Sequence, residues 1–209
     1  PGPGPGGTLT SFKNGMSALT DALAEQLGNR IRIASPVKDI SRSGSRYLLQ
    51  LQNGLEEESD IIIMAAPAHA QAKMLKAFDP LLSNLLKEIP YPALSVCCFG
   101  YRKERVGKVL DGFGFLVPSK ERRAVLGTIV DSNVFPGRAP EDSILLRSMV
   151  GGARTPELGL LPDEQLISRV QSDLRDMLGV SADPDFIRIF RHQRAIPQYV
   201  VGHAERLQA

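Results

Sequence analysis

The chain has 209 residues, 43% of them hydrophobic and 23% charged, with a formal net charge of +2. That is globular composition, neither disordered nor fibrous, and so small a charge excludes an electrostatic case for nucleic-acid binding. No apolar run approaches the roughly 18 residues of a membrane span, and the first residues are neither basic nor apolar as a secretory leader would be.

In chain order, residues 1–7 read PGPGPGG, a linker or the opening of a piece cut from something longer. Their formal match to G-x-G-x-x-G is rejected, because no strand precedes it and the prolines remove amides a pyrophosphate would need. A short strand is expected over 8–12. A helix capped by Asn14 should run to Leu27 and stop at Gly28, burying a stripe of Met16, Leu19, Leu23 and Leu27. Strands follow over 30–34 and 37–41. Residues 46–52 and 55–59 should form a hairpin across Asn53-Gly54, a dipeptide suited to a tight turn. Residues 60–66 (DIIIMAA) read as a central strand buried on both faces. Pro67 should start a helix to about 77, and a second helix over 80–87 follows the Asp79 cap.

Beyond residue 90 the pattern changes to short apolar runs fenced by Gly, Pro or charge: 93–101, 113–117, 125–130, 144–150 and 185–191. Such runs predict consecutive strands of one sheet, with either both faces covered or one face covered by a large apolar ligand. A helix over 162–178, closed by Gly179, completes the unit. The fold class is α+β (mixed): a predominantly antiparallel sheet with flanking helices, plus part of a βαβ/hairpin unit. The expected boundaries are a linker over 1–7 and domain segments over 8–90 and 91–209.

Self-contained catalytic chemistry is absent. There is no Gly-x-Ser-x-Gly elbow, and His69, His192 and His203 lack a second ligand at metal-binding spacing, so neither a catalytic nor a metal residue is nominated. Cys97 and Cys98 alternate faces of a strand and cannot act on one ion or one substrate. Their adjacency fits a reduced, cytosolic setting. What remains is an apolar binding surface bracketed by Gly112-Phe113-Gly114 and Gly151-Gly152.

Several strings in order, SFKNGMSALTDAL (11–23), IIIMAAPAHAQAKML (61–75), DGFGFLVPSKE (111–121), LGTIVDSNVFPGRAP (126–140), VGGAR (150–154) and AIPQYVVGH (195–203), resemble the protoporphyrinogen oxidase family of FAD-dependent amine oxidoreductases. The resemblance implies oxidation of protoporphyrinogen IX to protoporphyrin IX, with hydride passing to FAD and electrons to oxygen. It implies the central part of such an enzyme: 8–90 as an FAD-domain segment and 91–209 as a substrate-domain segment, with FAD held mainly by polypeptide outside this chain and the fragment inactive alone. By the same resemblance Leu116, Ile129 and Met149 would bind the tetrapyrrole, with methionine where some relatives carry a ring-stacking Phe. Val37, Ala65, Ala66 and Pro67 would contact FAD. His192 departs from a Trp common in relatives. The implied partner is a porphyrinogen, and the implied location cytoplasmic and peripheral on the inner membrane. A stand-alone apolar-ligand or protein-interaction module of the same fold, or a carotenoid-desaturase-like FAD oxidoreductase, is the alternative.

Overall fold

The computed structural model describes residues 9–106 and 111–208. The 1–7 linker and Thr8 therefore lie outside the described residues. Two units form: residues up to Pro90 together with those from Tyr199 onward, and Tyr91–Gln198. The residues from Tyr199 onward thus group with the first unit, whereas the sequence reading put them with the second.

In the first unit, helix α1 (Ser17–Leu27) ends at Gly28, whose φ of 53° with ψ −125° is a conformation that suits glycine. It begins later than expected. Gly15 at φ +91° turns the chain between Asn14 and the helix, so Met16 occupies the cap position and no side chain caps it. The expected buried stripe is not buried: Met16, Leu19, Leu23 and Leu27 are 43–61% exposed, and α1 contributes no buried residue.

A three-stranded antiparallel meander follows, β1 (Val37–Ser43), β2 (Arg46–Leu51) and β3 (Glu56–Ser59). Its first turn is the two-residue Gly44-Ser45, with Ser43 paired to Arg46. Its second turn is wider than the tight one expected at Asn53-Gly54. The Asn53 side chain accepts the Leu55 amide at 3.1 Å, which holds the loop. Glu57 and Glu58 pair with Arg32 and Arg46 on the surface, so these acids decorate a hairpin and form no acid/base pair.

Helices α2 (Ala68–Met74) and α3 (Pro80–Lys87) form as read, the second capped by Asp79 Oδ1 accepting the Leu82 amide at 2.9 Å. Three expected strands do not form. Residues 9–12, 30–34 and 60–66 carry no strand pairing, and Ile33, Ile61 and Ile63 are 84%, 76% and 91% exposed. A strand exists only through hydrogen bonds to a neighbour, and no described segment pairs with these three. The hairpin part of the expectation is therefore present, while 60–66 supplies no parallel strand for a βαβ unit.

The second unit is built on a five-stranded antiparallel sheet. Its strands are β4 (Leu94–Arg102), β5 (Gly114–Leu116), β6 (Val125–Val130), β7 (Ser143–Gly151) and β8 (Phe186–His192), in the order β5-β6-β7-β4-β8. Short helices α4 (Lys103–Val106) and α5 (Asp131–Val134) join them. Helix α6 (Asp163–Leu178), ending at Gly179 (φ 71°), packs Leu166, Val170 and Leu174 on one face of the sheet. There they meet Cys97, Phe99, Tyr101, Leu146 and Val150, all 0–1% exposed. Period-2 alternation explains the choice. Along β4, Ser95, Cys97, Phe99 and Tyr101 are buried while Leu94, Val96, Cys98 and Gly100 are only half-buried.

Two polar groups complete the covered side. Ser95 Oγ donates to Gly159 O at 2.6 Å, and the Thr128 and Ser148 hydroxyls meet at 2.8 Å between β6 and β7. Thr128→Val alone strands the fully buried Ser148 hydroxyl and should cost about 1–3 kcal/mol. Adding Ser148→Ala should recover part of that loss. Urea unfolding of the two singles and the double checks this, and a double variant as destabilised as the sum of the singles would refute the pairing.

The chain then returns to the first unit. Tyr199 stacks on His203, ring centroids 4.4 Å apart, at the start of helix α7 (His203–Gln208). Arg206 of α7 pairs with Glu88 at 3.1 Å. Among the described residues no helix is long and apolar enough to cross a membrane.

Candidate functional site

The sheet face opposite α6 carries the candidate site. Strand register defines it row by row, since residues directly opposite one another share a face. One cross-strand row runs Leu116, Gly127, Met149, Val96, Phe190 through all five strands. The next runs Gly114, Ile129, Arg147, Cys98, Arg188. A third holds Leu145, Gly100 and Phe186. Five strands at their usual spacing make this floor roughly 19 Å wide.

Leu116, Ile129 and Met149 therefore stand on one face in adjacent rows. Leu116 is 83% exposed, Phe186 51% and Phe190 47%, so the face is open apolar surface. Gly127 makes the Leu116 position possible: a Cβ there would lie 2.9 Å from Leu116 Cδ2 and 2.7 Å from Phe115 O. A hollow of about 500 Å³ opens at the third-row end, lined by Gly100, Leu145, Phe186, Arg102, Arg138 and Asp142. Leu116, Ile129 and Met149 do not line that hollow.

The floor is not uniformly apolar. Arg147 Nη2 bonds Asp131 Oδ1 at 2.7 Å, and its buried Nε has no hydrogen-bond partner. Arg188 lies over the Phe190 ring at 5.5 Å and has no acidic partner among the described residues. An apolar row beside a row with two guanidinium groups suits a flat hydrophobic ligand with an anionic rim. None of Arg147, Val96, Phe190 and Arg188 was nominated from the sequence. Extending the alternation of β7 across its partners would have found them, but that needs the register. His192 stands on the same face beside Leu94 at the β8 edge.

Burial disfavours the thiolate at both cysteines. Burial pushes the Cys97 thiol up to about 12, and burial with the nearby Asp131 charge also raises Cys98. At pH 8 the Cys97 thiolate fraction is then about 10⁻⁴. The neutral thiol is the form the fold holds, so this contribution to stability is full below pH 9 and lost as pH rises toward 12. Labelling with a thiol-reactive disulfide at pH 8 should be far slower on the native chain than in denaturant. Native labelling at the rate of free cysteine would contradict the burial.

In the first unit, Val37 opens β1, and Ala65, Ala66 and Pro67 form the entry to α2. The Gln71 amide donates to Met64 O and Ala66 O, fixing this crossover. Ile61 and Ile63 are exposed, and the 61–66 backbone carries no ladder. No glycine-rich strand-to-helix turn of the kind that cradles a pyrophosphate occurs among the described residues. No group of metal-binding side chains occurs among them either.

Residues 3–208 match the family model for flavin containing amine oxidoreductase. The chain is 36% identical to protoporphyrinogen oxidase 2, chloroplastic/mitochondrial, of Arabidopsis thaliana, over 95% of this chain and 42% of that protein. It is 29% identical to coproporphyrinogen III oxidase of Bacillus subtilis (strain 168), over 97% of this chain and 43% of that protein. A solved structure from Exiguobacterium sp. 255-15, provisionally assigned as a protoporphyrinogen oxidase, superimposes with a TM-score of 0.83 at 27% identity, over 95% of this chain and 43% of that one. The chain thus spans about two fifths of the length of the curated relatives it matches.

Proposed function

The chain belongs to the flavin-containing amine oxidoreductase family, and from that membership we propose that it supplies the substrate floor and one cofactor-facing edge of an enzyme oxidising a porphyrinogen to a porphyrin. The second unit acts as a substrate-domain segment and the first as a FAD-domain segment. The observation that carries this reading is the open floor, apolar across Leu116, Ile129, Met149, Val96 and Phe190, with the Arg188 guanidinium, unpaired with any acid among the described residues, beside it.

Each chemical demand of a porphyrinogen has a counterpart there. Its apolar ring lies on Leu116, Ile129 and Met149, extended by Val96 and Phe190, where each Å² of apolar area buried contributes about 25 cal/mol. Its carboxylate rim meets Arg188. Val37, Ala65, Ala66 and Pro67 face the FAD. The chemistry supplied by the flavin, when bound, is acceptance of hydride from the macrocycle and delivery of electrons to oxygen. This chain's own contribution is orientation: it holds one bridging methylene in place and excludes water from the covered ring face.

One observation favours a second substrate. Arg188 has no acidic partner, and a coproporphyrinogen carries propionates where a protoporphyrinogen carries vinyl groups. The free guanidinium therefore keeps coproporphyrinogen III as the alternative to protoporphyrinogen IX. A gene encoding this chain within a protein of the relatives' full length should rescue a haem-deficient strain, and that protein should oxidise one of the two porphyrinogens. Ile129→Asp should lower that rate at least about tenfold by placing a charge under the ring. Arg188→Leu should depress coproporphyrinogen turnover more than protoporphyrinogen turnover if the alternative holds. Failure to oxidise either substrate, or full activity in Ile129→Asp, overturns the proposal. A cytoplasmic location with peripheral attachment to the inner membrane belongs to the same reading, and cell fractionation tests it.

A further inference from the structure

A second concavity in the Tyr91–Gln198 unit has no part in the substrate floor. It is a hollow of about 360 Å³ formed by the β5–β6 connection, the start of β6, the segment after β7 and the middle of α6. Four arginines line it: Arg122, Arg123, Arg154 and Arg169. Only one of them is neutralised. Arg123 pairs with Asp176 and, at 3.6 Å, with Asp173, and Asp173 also accepts the Val125 amide at 2.9 Å. That consumes both nearby acids of α6. Arg122, Arg154 and Arg169 have no acidic partner among the described residues, and no carboxylate lines the hollow. Glu121 and Glu157 are near in sequence but are not part of its wall.

Two features distinguish this surface. Three arginines without an acidic partner among the described residues line one hollow, all at exposed positions, so an anion or solvent must offset their repulsion. Arg122 also holds a left-handed backbone, φ 50° and ψ 35°, which costs a non-glycine residue about 1 kcal/mol or more. Each guanidinium is a rigid planar fork of N–H donors that matches two oxygens of one anion. A lone carboxylate satisfies one fork, whereas a phosphate offers terminal oxygens to several.

We propose that this hollow is a binding site for a phosphate group, held by Arg122, Arg154 and Arg169. The shared chemistry is the phosphoryl oxyanion, borne by a soluble phosphorylated compound or by a phospholipid headgroup. The site is separate from the floor and does not depend on which porphyrinogen lies there.

The test is titration of the full chain with inorganic pyrophosphate by calorimetry, with ionic strength held constant by potassium chloride. In parallel, the chain is co-sedimented with phosphatidylglycerol or phosphatidylcholine vesicles. Saturable pyrophosphate binding that weakens at least about tenfold in Arg154→Gln/Arg169→Gln supports a soluble ligand. Retention by phosphatidylglycerol alone, lost in the same double variant, supports a lipid headgroup. Arg122→Gly provides a variant that keeps the fold, since glycine adopts the left-handed turn without strain. It should lower anion affinity without lowering the melting temperature. Binding no stronger than in the chloride-matched control, or equal binding by the double variant in both assays, overturns the proposal.

Discussion

Phe99→Ala should lower the stability of the second unit by about 3–5 kcal/mol. Phe99 is 0% exposed on β4, a strand flanked on both sides by β7 and β8. Its ring meets Tyr101 edge-on, 86° between planes and 6.5 Å between centroids, a contact adding about 0.5–1.5 kcal/mol beyond area alone. Leu146 and Ile187 stand directly opposite it, and α6 closes the space above. Because the paired backbone of three strands holds that space open, the cavity cannot collapse. A domain is typically stable by only 5–15 kcal/mol, so the loss is a large part of the whole. Leu116→Ala, at an 83% exposed position, should stay within about 0.5 kcal/mol. Urea midpoints of the two variants make the comparison. Equal small shifts would mean that the α6 face is not the packed side.

Gly114→Ala should detach β5 and take the Leu116 end of the floor with it. Gly114 has φ +149°, and a Cβ there would sit 2.2 Å from Thr128 O and 2.9 Å from Ile129 Cα. Both obstacles are backbone of β6, which is locked on its other edge to β7 and cannot yield. Strain and overlap together are worth about 2–6 kcal/mol, more than a three-residue edge strand gains by pairing. The strand therefore leaves, which caps the global loss and concentrates the damage. Backbone bonds from Val130 N to Phe113 O and from Val117 N to Leu126 O should open, so the Val117 and Val130 amides exchange faster. Porphyrin affinity, read by fluorescence quenching, should fall at least about tenfold. Gly112→Ala meets nothing within 4 Å and serves as the control. Unchanged exchange and affinity in Gly114→Ala would mean that β5 does not hold Leu116 in place.

The candidate floor was partly legible from residues alone. Runs 113–117, 125–130 and 144–150 became adjacent strands, and alternation separated Cys97 from Cys98 as read. The resemblance nominated Leu116, Ile129 and Met149, and register sets all three on one face. Arg188 and Phe190 were not legible, because their place beside Cys98 and Val96 depends on β8 crossing to pair with β4. The arginine hollow was less legible still. Arg122, Arg154 and Arg169 lie on three separate elements, and only the fold shows that Arg123 has taken the nearby acids.

Local chemistry in the sequence determined where helices stop and which side of each paired strand is apolar. Gly28 and Gly179 end helices because glycine adopts a positive φ easily, Asp79 starts one because its carboxylate reaches a free amide, and period 2 sorts β4 into two faces. Tertiary structure alone decided whether an extended apolar run becomes a strand and whether an apolar stripe becomes core. Residues 61–66 and the α1 stripe have the composition of buried elements, yet 61–66 stays unpaired with Ile61 and Ile63 exposed, and the α1 stripe is exposed. The reason is physical: a ladder bond or a buried contact belongs to two segments at once, and the second segment is not written in the first.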